Sequence, residues 1–235
     1  MSAAGVDALI PAAGRSVRFG GTTLKQYAHV MGQPVIAHSI EALKRHPAVV
    51  SLTVALAPDD GIYDELVAPR YPDVFTATGG DSRARTVLNG LAAILQRNPS
   101  SEWVLVHDAA RPCLPIAALR RLLQLGLATD HGAILAVPVS DTLKRANDQG
   151  TIESTVDRSR FWAAQTPQLF RTRELASNLE AALAAGESPT DDAAALERAG
   201  MHPLLVEGPR SNIKITGPED LALAEFILQR QSMDE

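Results

Sequence analysis

Leu9-Ile10-Pro11-Ala12-Ala13-Gly14-Arg15-Ser16-Val17-Arg18-Phe19-Gly20-Gly21-Thr22-Thr23-Leu24-Lys25-Gln26-Tyr27 is the stretch that decides how this chain is read. Val6 to Ile10, overlapping its start, is a short apolar run and reads as a buried strand. Pro11 has no N–H to give to a ladder, so the strand ends there. Gly14, Gly20 and Gly21 permit a loop whose backbone N–H groups point inward. Arg15, Arg18 and Lys25 add cations, and no Asp or Glu occurs between Asp7 and Glu41. In a chain of formal net charge -5, this acid-free cationic loop suits a polyphosphate. It is not a Walker A loop, because no Gly-Lys-Ser/Thr closes it. It is not the dinucleotide fingerprint either, because Ser16 stands where the second glycine would be. The plain alternative is a solvated strand-to-helix loop with ordinary surface basics.

Working outward, the chain alternates apolar strand patterns with amphipathic helices. Val49–Ala57, Val74–Thr78, Trp103–Val106, Gly132–Val139, Pro203–Val206 and Asn212–Ile215 read as strands. Pro34–His46, Ser82–Arg97, Pro115–Thr129, Thr172–Ala185, Thr190–Ala199 and Pro218–Gln229 read as helices. Ala84, Val87, Leu88, Leu91, Ile94 and Leu95 make the apolar stripe of the second of these. The alternation predicts an α/β fold, a mostly parallel sheet covered by helices on both faces. One domain over 1–235 is expected, with an excursion at 140–161. That excursion is polar, and two β-prone arms flank a turn at Asn147-Asp148-Gln149-Gly150. It lacks the large apolar residues of a core. It either packs on something else, such as a second subunit, or is a mobile surface hairpin.

The bulk composition excludes several classes. Hydrophobic residues are 46% and charged residues 21%, ordinary for a soluble globular chain. Cys113 is the single cysteine, which favours a reducing compartment and a cytoplasmic location. No signal peptide and no bilayer-spanning run are expected. Mild acidity argues against nucleic acid as a partner. The six histidines are scattered, and none pairs with another at helical metal-ligand spacing, so no zinc site is expected.

In an open α/β sheet, ligands bind beyond the carboxyl ends of the strands. Four stretches meet there by that rule: the Gly14 loop, Gly79-Gly80-Asp81, His107-Asp108-Ala109-Ala110-Arg111 and Ser140-Asp141-Thr142. Gly79-Gly80 lets a planar base approach the backbone; equally, Asp81 or Ser82 is an N-cap. Asp108, at a strand end beside a phosphate site, suits Mg²⁺ or a ribose, or a salt bridge with Arg111. Alternation places Ile213 and Ile215 on a buried face and Lys214 in solvent. Asp191 and Asp192 read as favourable charges in the first turn of a helix, and Cys113 as a small packing residue.

Pro11-Ala12-Ala13-Gly14 with Arg18, Gly20 and Lys25 resembles the loop of nucleotidyltransferases that join a nucleoside triphosphate to a phosphorylated alcohol. Further segments, in order along nearly the whole chain, narrow the resemblance. They are Lys25-Gln26-Tyr27, Gly79–Arg83, Val106–Pro112, Asp141–Lys144, Thr155–Arg158, Gln165–Gln168 and Asn212–Thr216. Together they resemble the 2-C-methyl-D-erythritol 4-phosphate cytidylyltransferases. The resemblance implies a Rossmann-like nucleotidyltransferase fold with a protruding β-arm. It implies transfer of CMP from CTP to a phosphorylated methyl-tetritol, with Mg²⁺, by a homodimer interlocked through the arm. Carried over residue by residue, it implies that Arg18, Lys25, Lys214 and Arg158 act in catalysis. Pro11, Ala12, Ala13, Gly14, Gly80, Asp81 and Thr86 would surround the nucleotide. Asp108, Ala109, Arg111, Thr142, Arg158 and Lys214 would hold the second substrate, and Asp108 the metal. Two other readings stand beside it: a cytidylyltransferase for another alditol phosphate such as ribitol 5-phosphate, and a non-catalytic nucleotide-binding module.

Overall fold

In the computed structural model, which describes residues 5–14 and 24–234, the first strand is the axis of the fold. In chain order the elements are β1 (Val6–Pro11), β2 (His29–Val30), β3 (Gln33–Pro34), α1 (Val35–Lys44), β4 (Val49–Leu56) and α2 (Gly61–Leu66). β5 (Phe75–Thr78), α3 (Arg83–Arg97), β6 (Trp103–Val106), α4 (Ile116–Gly126) and β7 (Ala133–Pro138) follow. The chain continues through β8 (Leu143–Ala146), β9 (Ile152–Val156), β10 (Trp162–Arg171), α5 (Thr172–Ala184), α6 (Asp192–Arg198), β11 (Leu204–Glu207) and α7 (Glu219–Asp234).

Among the described residues seven strands form one sheet, in the order β11-β7-β10-β6-β1-β4-β5. β1 runs parallel to both neighbours, with Leu9 opposite Thr53 on β4 and Val106 on β6. Pro11 closes the strand: its last pairing is with Ala55, while the β6 ladder already ends at Leu9. β1 is buried on both faces and, Asp7 aside, apolar, as suits a central parallel strand. Ala8 and Ile10 face a core shared with Ile36, Ile40 and Leu43 of α1, Tyr63 of α2, and Leu119 and Leu122 of α4. Leu9 faces the opposite core, with Val87, Leu91 and Ile94 of α3, Leu175 of α5 and Leu196 of α6. Each such fully buried Leu or Ile is worth about 1.5–3 kcal/mol over an exposed one. A third, smaller cluster of Val30, Val35, Ala110, Cys113, Ile215 and Ala224 fastens α7 beside the turn that follows β6.

The expected α/β architecture holds, and the differences have identifiable causes. β10 is a strand that the sequence pattern does not announce. It lies in the middle of the sheet, antiparallel to β6 and β7, with Leu169 and Phe170 fully buried. Pro167 and the polar run Gln165–Gln168 hide it: proline argues against a central strand unless the ladder is interrupted there. The register with β7 does shift between Ala164 and Gln168. Asn212–Ile215, expected as a strand, is irregular chain. Its Asn212 is buried and donates to Thr166 O at 2.8 Å. α2, over Gly61–Leu66, is a helix that the sequence reading does not include, with Asp60 accepting from Tyr63 N as its N-cap. The 140–161 excursion does hold a hairpin. β8 and β9 pair antiparallel around a turn in which Gly150 takes a positive φ of 75°. Apart from the half-buried Leu143 and Val156, the residues of this hairpin are exposed. Among the described residues no helix is long and apolar enough to cross a membrane.

Candidate active site

The chain visits β4 and β5 on one side of β1 and then returns to β6 on the other, which opens a crevice at the carboxyl ends of β1 and β6. A cavity of about 600 Å³ lies there. Pro11 to Gly14 form one wall, Gly80 to Arg83 with Thr86 a second, and Asp108 to Ala110 a third; Lys25 and Lys214 also line it. Sequence reasoning places most of these residues at one site, and the fold brings them together. Arg18 lies outside the described residues, as does the rest of segment 15–23. Arg111 sits behind the wall, on Asp108. Thr142 and Arg158 belong to the excursion and are exposed, away from the residues that line the cavity.

Local structure explains each wall. Gln26 is buried and donates from Nε2 to Ala12 O at 3.1 Å and to Gly14 O at 3.3 Å, which fixes the exit of β1. Ser82 is the N-cap of α3 and accepts from Arg85 N at 3.2 Å. The capping reading of that turn is therefore present, and Asp81 is left exposed at the cavity. Gly79 is required by packing. A Cβ there would lie 2.6 Å from Ala13 Cβ and 3.0 Å from Leu56 O and Thr86 Cγ2. Thr86 Oγ1 accepts from Gly80 N at 3.0 Å and lies 2.8 Å from Ser82 O, and Asn89 Nδ2 donates to Gly79 O at 3.1 Å. Side chains of α3 thus set the conformation of both glycines.

Asp108 is the centre of charge. Lys214 Nζ lies 2.8 Å from its Oδ2, Arg111 Nε 3.6 Å from the same oxygen, and Arg83 NH2 3.4 Å from Oδ1. The contact with Arg111 is the salt bridge that the sequence offers as the plain alternative, and it coexists with exposure to the cavity. Lys214, read as a solvated lysine, is a wall residue. Burial pushes the Asp108 carboxyl upward, but Arg83, Lys214 and Arg111 outweigh it and hold the group below the usual carboxylate range. Asp108 is an anion at any working pH.

His107 is fully buried, and burial lowers its pKa to about 4. Its Nε2 is 3.0 Å from Arg111 O and its Nδ1 3.0 Å from Thr166 Oγ1. A carbonyl only accepts, so Nε2 carries the proton and Nδ1 accepts from the threonine hydroxyl. The hydroxyl oxygen in turn accepts from Asp108 N at 2.9 Å. This closed set fixes the turn that carries Asp108, and it occupies both ring nitrogens. Cys113 is buried, and burial raises its thiol to about 12, so it packs and does not react.

Sequence reasoning misses Arg83 and Asp192 as site residues. Arg83 lines the cavity and grips the buried Asp192 by its fork, NH1 to Oδ1 at 2.9 Å and NH2 to Oδ2 at 2.8 Å. Asp192 is therefore not the simple helix-end charge it resembles; Asp191 has that role, accepting from Ala194 N at 3.0 Å. The motif Gly79–Arg83 contains the signal for Arg83, but nothing local in sequence ties it to Asp192.

Among the described residues no cluster of three or more His, Cys, Asp or Glu side chains forms a metal cage. Mg²⁺ asks for less, typically one or two carboxylates completed by substrate phosphate oxygens. Asp108 presents one permanently ionised carboxylate at the cavity wall, and the Arg83 contacts to its Oδ1, at 3.4 Å, are long for hydrogen bonds. That donor chemistry fits a hard divalent cation shared with a phosphate.

Comparison with known proteins narrows the chemistry. Residues 6–230 match the family model for IspD, 2-C-methyl-D-erythritol 4-phosphate cytidylyltransferase. The enzyme of that name from Xanthomonas campestris pv. campestris (strain 8004) is 52% identical over 223 residues, covering 95% of this chain and 84% of its own. A crystal structure of a 4-diphosphocytidyl-2C-methyl-D-erythritol synthase superposes with a TM-score of 0.83 at 41% identity, over 96% of this chain and 98% of the other. The 2-C-methyl-D-erythritol 4-phosphate cytidylyltransferase of Thermus thermophilus gives 0.79 at 30% identity, over 96% and 99%.

Proposed function

The chain belongs to the 2-C-methyl-D-erythritol 4-phosphate cytidylyltransferase family, and from that premise we propose how its residues divide the work. The protein is a cytidylyltransferase: it transfers CMP from CTP to 2-C-methyl-D-erythritol 4-phosphate, giving 4-CDP-2-C-methyl-D-erythritol and pyrophosphate. The observation that carries the division of labour is a single anion, Asp108, ringed by Lys214, Arg111 and Arg83 in the wall of a cavity that also holds the Pro11–Gly14 turn and Lys25.

The nucleophile is a phosphate monoester oxygen, already largely dianionic at neutral pH because its second pKa is about 6. It forms a bond to the α-phosphorus of CTP while the bond from that phosphorus to the bridging oxygen of pyrophosphate breaks. No proton moves. Repulsion between two anions is the main obstacle, so the protein's task is to offset charge and hold an in-line geometry. Lys25 and Arg18 hold the triphosphate and the charge that develops on it. Pro11, Ala12, Ala13, Gly14, Gly80, Asp81 and Thr86 surround the nucleoside. Lys214 and Arg111 hold the second phosphate next to Asp108, with Ala109 against the substrate. Asp108 would hold Mg²⁺, which would supply charge neutralisation to the transferring phosphate. The buried, neutral His107 has both nitrogens engaged, which supports a mechanism without a general base.

Thr142 and Arg158 complete the second-substrate site from the partner subunit of a homodimer. Their exposure on an arm that has no core of its own supports that reading, as does the exposed Ile152 at 68%. A buried free Cys113 is compatible with the reducing cytoplasm in which we place the enzyme. The test is pyrophosphate release with CTP against ATP, GTP and UTP, with and without the methylerythritol phosphate. Release is expected only with CTP and the alcohol phosphate together. Tight CTP binding without turnover would overturn the assignment, and equal turnover of ribitol 5-phosphate would overturn the second substrate.

A further inference from the structure

Asp192 is a carboxyl in a place where charge is costly: burial pushes its pKa up, and the Arg83 guanidinium pulls against that. It is fully buried, at 0% exposure. It does not cap α6, since Asp191 does. Both of its oxygens instead lie in the fork of Arg83, at 2.9 and 2.8 Å. Such bidentate pairs are among the strongest and most directional contacts a protein makes. Arg83 has a second working edge. Its Nε and NH2 both face Asp108 Oδ1 at 3.4 Å, which is close enough for attraction and too long for a good hydrogen bond. The guanidinium lines the cavity, is anchored from behind by Asp192 and only leans on the Asp108 carboxylate.

Asp192 is itself held from behind. Gln168 of β10 accepts from Ala193 N at 3.2 Å through Oε1 and donates to Asp191 Oδ2 at 3.0 Å through Nε2. The first turn of α6 is thus tied to the same strand that brings Thr166 to Asp108 N. A chain of directional contacts runs from β10 through the α6 N-terminus to Arg83 and ends on Asp108.

We propose that Asp192 is a positioning residue: by holding the Arg83 fork from the side away from the cavity, it stops Arg83 from closing bidentately on Asp108. Asp108 then stays oriented toward Lys214 and the substrates. Without Asp192, the anions left near Arg83 are Asp108 and Asp191, and Asp191 is already engaged by Ala194 N and Gln168 Nε2, so Arg83 turns to Asp108 and draws it out of the reacting geometry. Small displacements of this kind cost rate more than binding. The inference rests on the role given to Asp108 above, and Asp108→Asn separates the two. If Asp108→Asn turns over normally, the reading of Asp108 fails. If it is inactive, the variants below judge Asp192 alone.

The experiment compares Asp192→Asn, Arg83→Gln, Arg83→Lys and the Asp192→Asn/Arg83→Gln double variant. kcat and KM for both substrates are measured on folded protein whose melting temperature has been recorded. Asp192→Asn is expected to lower kcat by about tenfold or more while leaving each KM within about twofold. The double variant is expected to be no slower than Arg83→Gln alone, because Asp192 acts through Arg83. Arg83→Lys keeps the charge but can no longer be held by both Asp192 oxygens, so the cation is free to pair with Asp108 and kcat should fall as in Asp192→Asn. If Asp192→Asn does not fold, the Arg83→Lys variant and the double variant carry the test. A folded Asp192→Asn with normal kcat, an Arg83→Lys with normal kcat, or independent losses that multiply in the double variant would each overturn the proposal.

Discussion

Lys214 Nζ stands 2.8 Å from Asp108 Oδ2, and the backbone puts it there. Ile215 N donates to Ala110 O at 2.8 Å, so the segment carrying Lys214 is bonded to the turn carrying Asp108. Lys214→Ala should lower kcat/KM for the alcohol phosphate on the order of a hundredfold. Its melting temperature should move little, because the side chain is 39% exposed and its charge is screened by water. A variant with normal kcat/KM would remove Lys214 from the site.

The depressed Asp108 carboxyl makes a prediction with a definite sign. Its unfolded value is about 3.9, and its folded value lies lower. The stabilising contribution is therefore present above the unfolded value and lost as pH falls through the folded one. The melting-temperature gap between wild type and Asp108→Asn should be level from about pH 5 to 8 and narrow only below about pH 4. A gap that closed near pH 6 would show that Asp108 titrates there.

His107 predicts a different window. Burial lowers its folded pKa to about 4, against about 6.5 when unfolded. Its contribution to stability is present above about pH 6.5 and is lost as pH falls toward 4. His107→Gln should flatten that acid limb in a melting-temperature scan. Any acid limb near pH 6 in the rate with saturating substrates should persist in His107→Gln, because it belongs to the phosphate nucleophile, whose second pKa is about 6, and no base is needed. Loss of turnover in a His107→Gln variant that still folds and binds CTP would refute the base-free mechanism.

Gly79→Ala tests the glycine pair by sterics. The new Cβ would meet Ala13 Cβ at 2.6 Å and Leu56 O at 3.0 Å, atoms on two strand ends that cannot swing aside. Overpacking of this kind costs about 1–3 kcal/mol. KM for CTP should rise along with the loss of stability, because Ala13 forms the nucleotide wall. Calorimetry and CTP titration check both, and an unchanged melting temperature would contradict the packing role.

Lys25→Ala should lower kcat on the order of a hundredfold or more, with a smaller change in KM for the alcohol phosphate. Lys25 lines the cavity from the turn Lys25–Tyr27, beside the Pro11–Gly14 wall. Steady-state kinetics would count against a transition-state role if kcat stayed near normal and only KM rose.

What the residue order reveals follows the range of the forces involved. β1 is legible because Val6–Ile10 is, Asp7 aside, an apolar run, and α3 because Ser82 caps it and its apolar stripe repeats at helical spacing. These are local signals. β10 is not legible, since Pro167 and its polar neighbours imitate a loop, and the strand is defined by partners on β6 and β7. Lys214 reads as solvated because alternation assumes a strand at Asn212–Ile215. The chain there is shaped instead by Ala110 and Thr166, bonded to it from afar. The Asp192–Arg83 pair is invisible for the same reason: it joins two helix starts that meet only in three dimensions. The cavity's backbone-rich wall follows from glycine and proline spacing, while its electrostatic centre, the Asp108–Arg111 pair aside, depends on contacts that no local pattern encodes.

The exposed arm supports a test of whether each site is built from both subunits. Arg158 follows β9 on the short turn Arg158–Arg160, where Asp157 caps the backbone, and its side chain is exposed away from the residues that line the cavity. Lys25 lines that cavity. Lys25→Ala and Arg158→Ala should each be nearly inactive alone. When the two are co-expressed and Arg158 serves the partner's site, one site in every mixed dimer carries both lesions and the other carries none. Random pairing makes half the dimers mixed, so activity should return to roughly a quarter of wild type by symmetry. If Arg158 serves its own subunit, every site in a mixed dimer keeps one lesion and activity stays at the level of the single variants. Native mass spectrometry that confirms mixed dimers, with no recovery of pyrophosphate release, would rule out the trans arrangement. A chain that stays monomeric under assay conditions while fully active would rule it out as well.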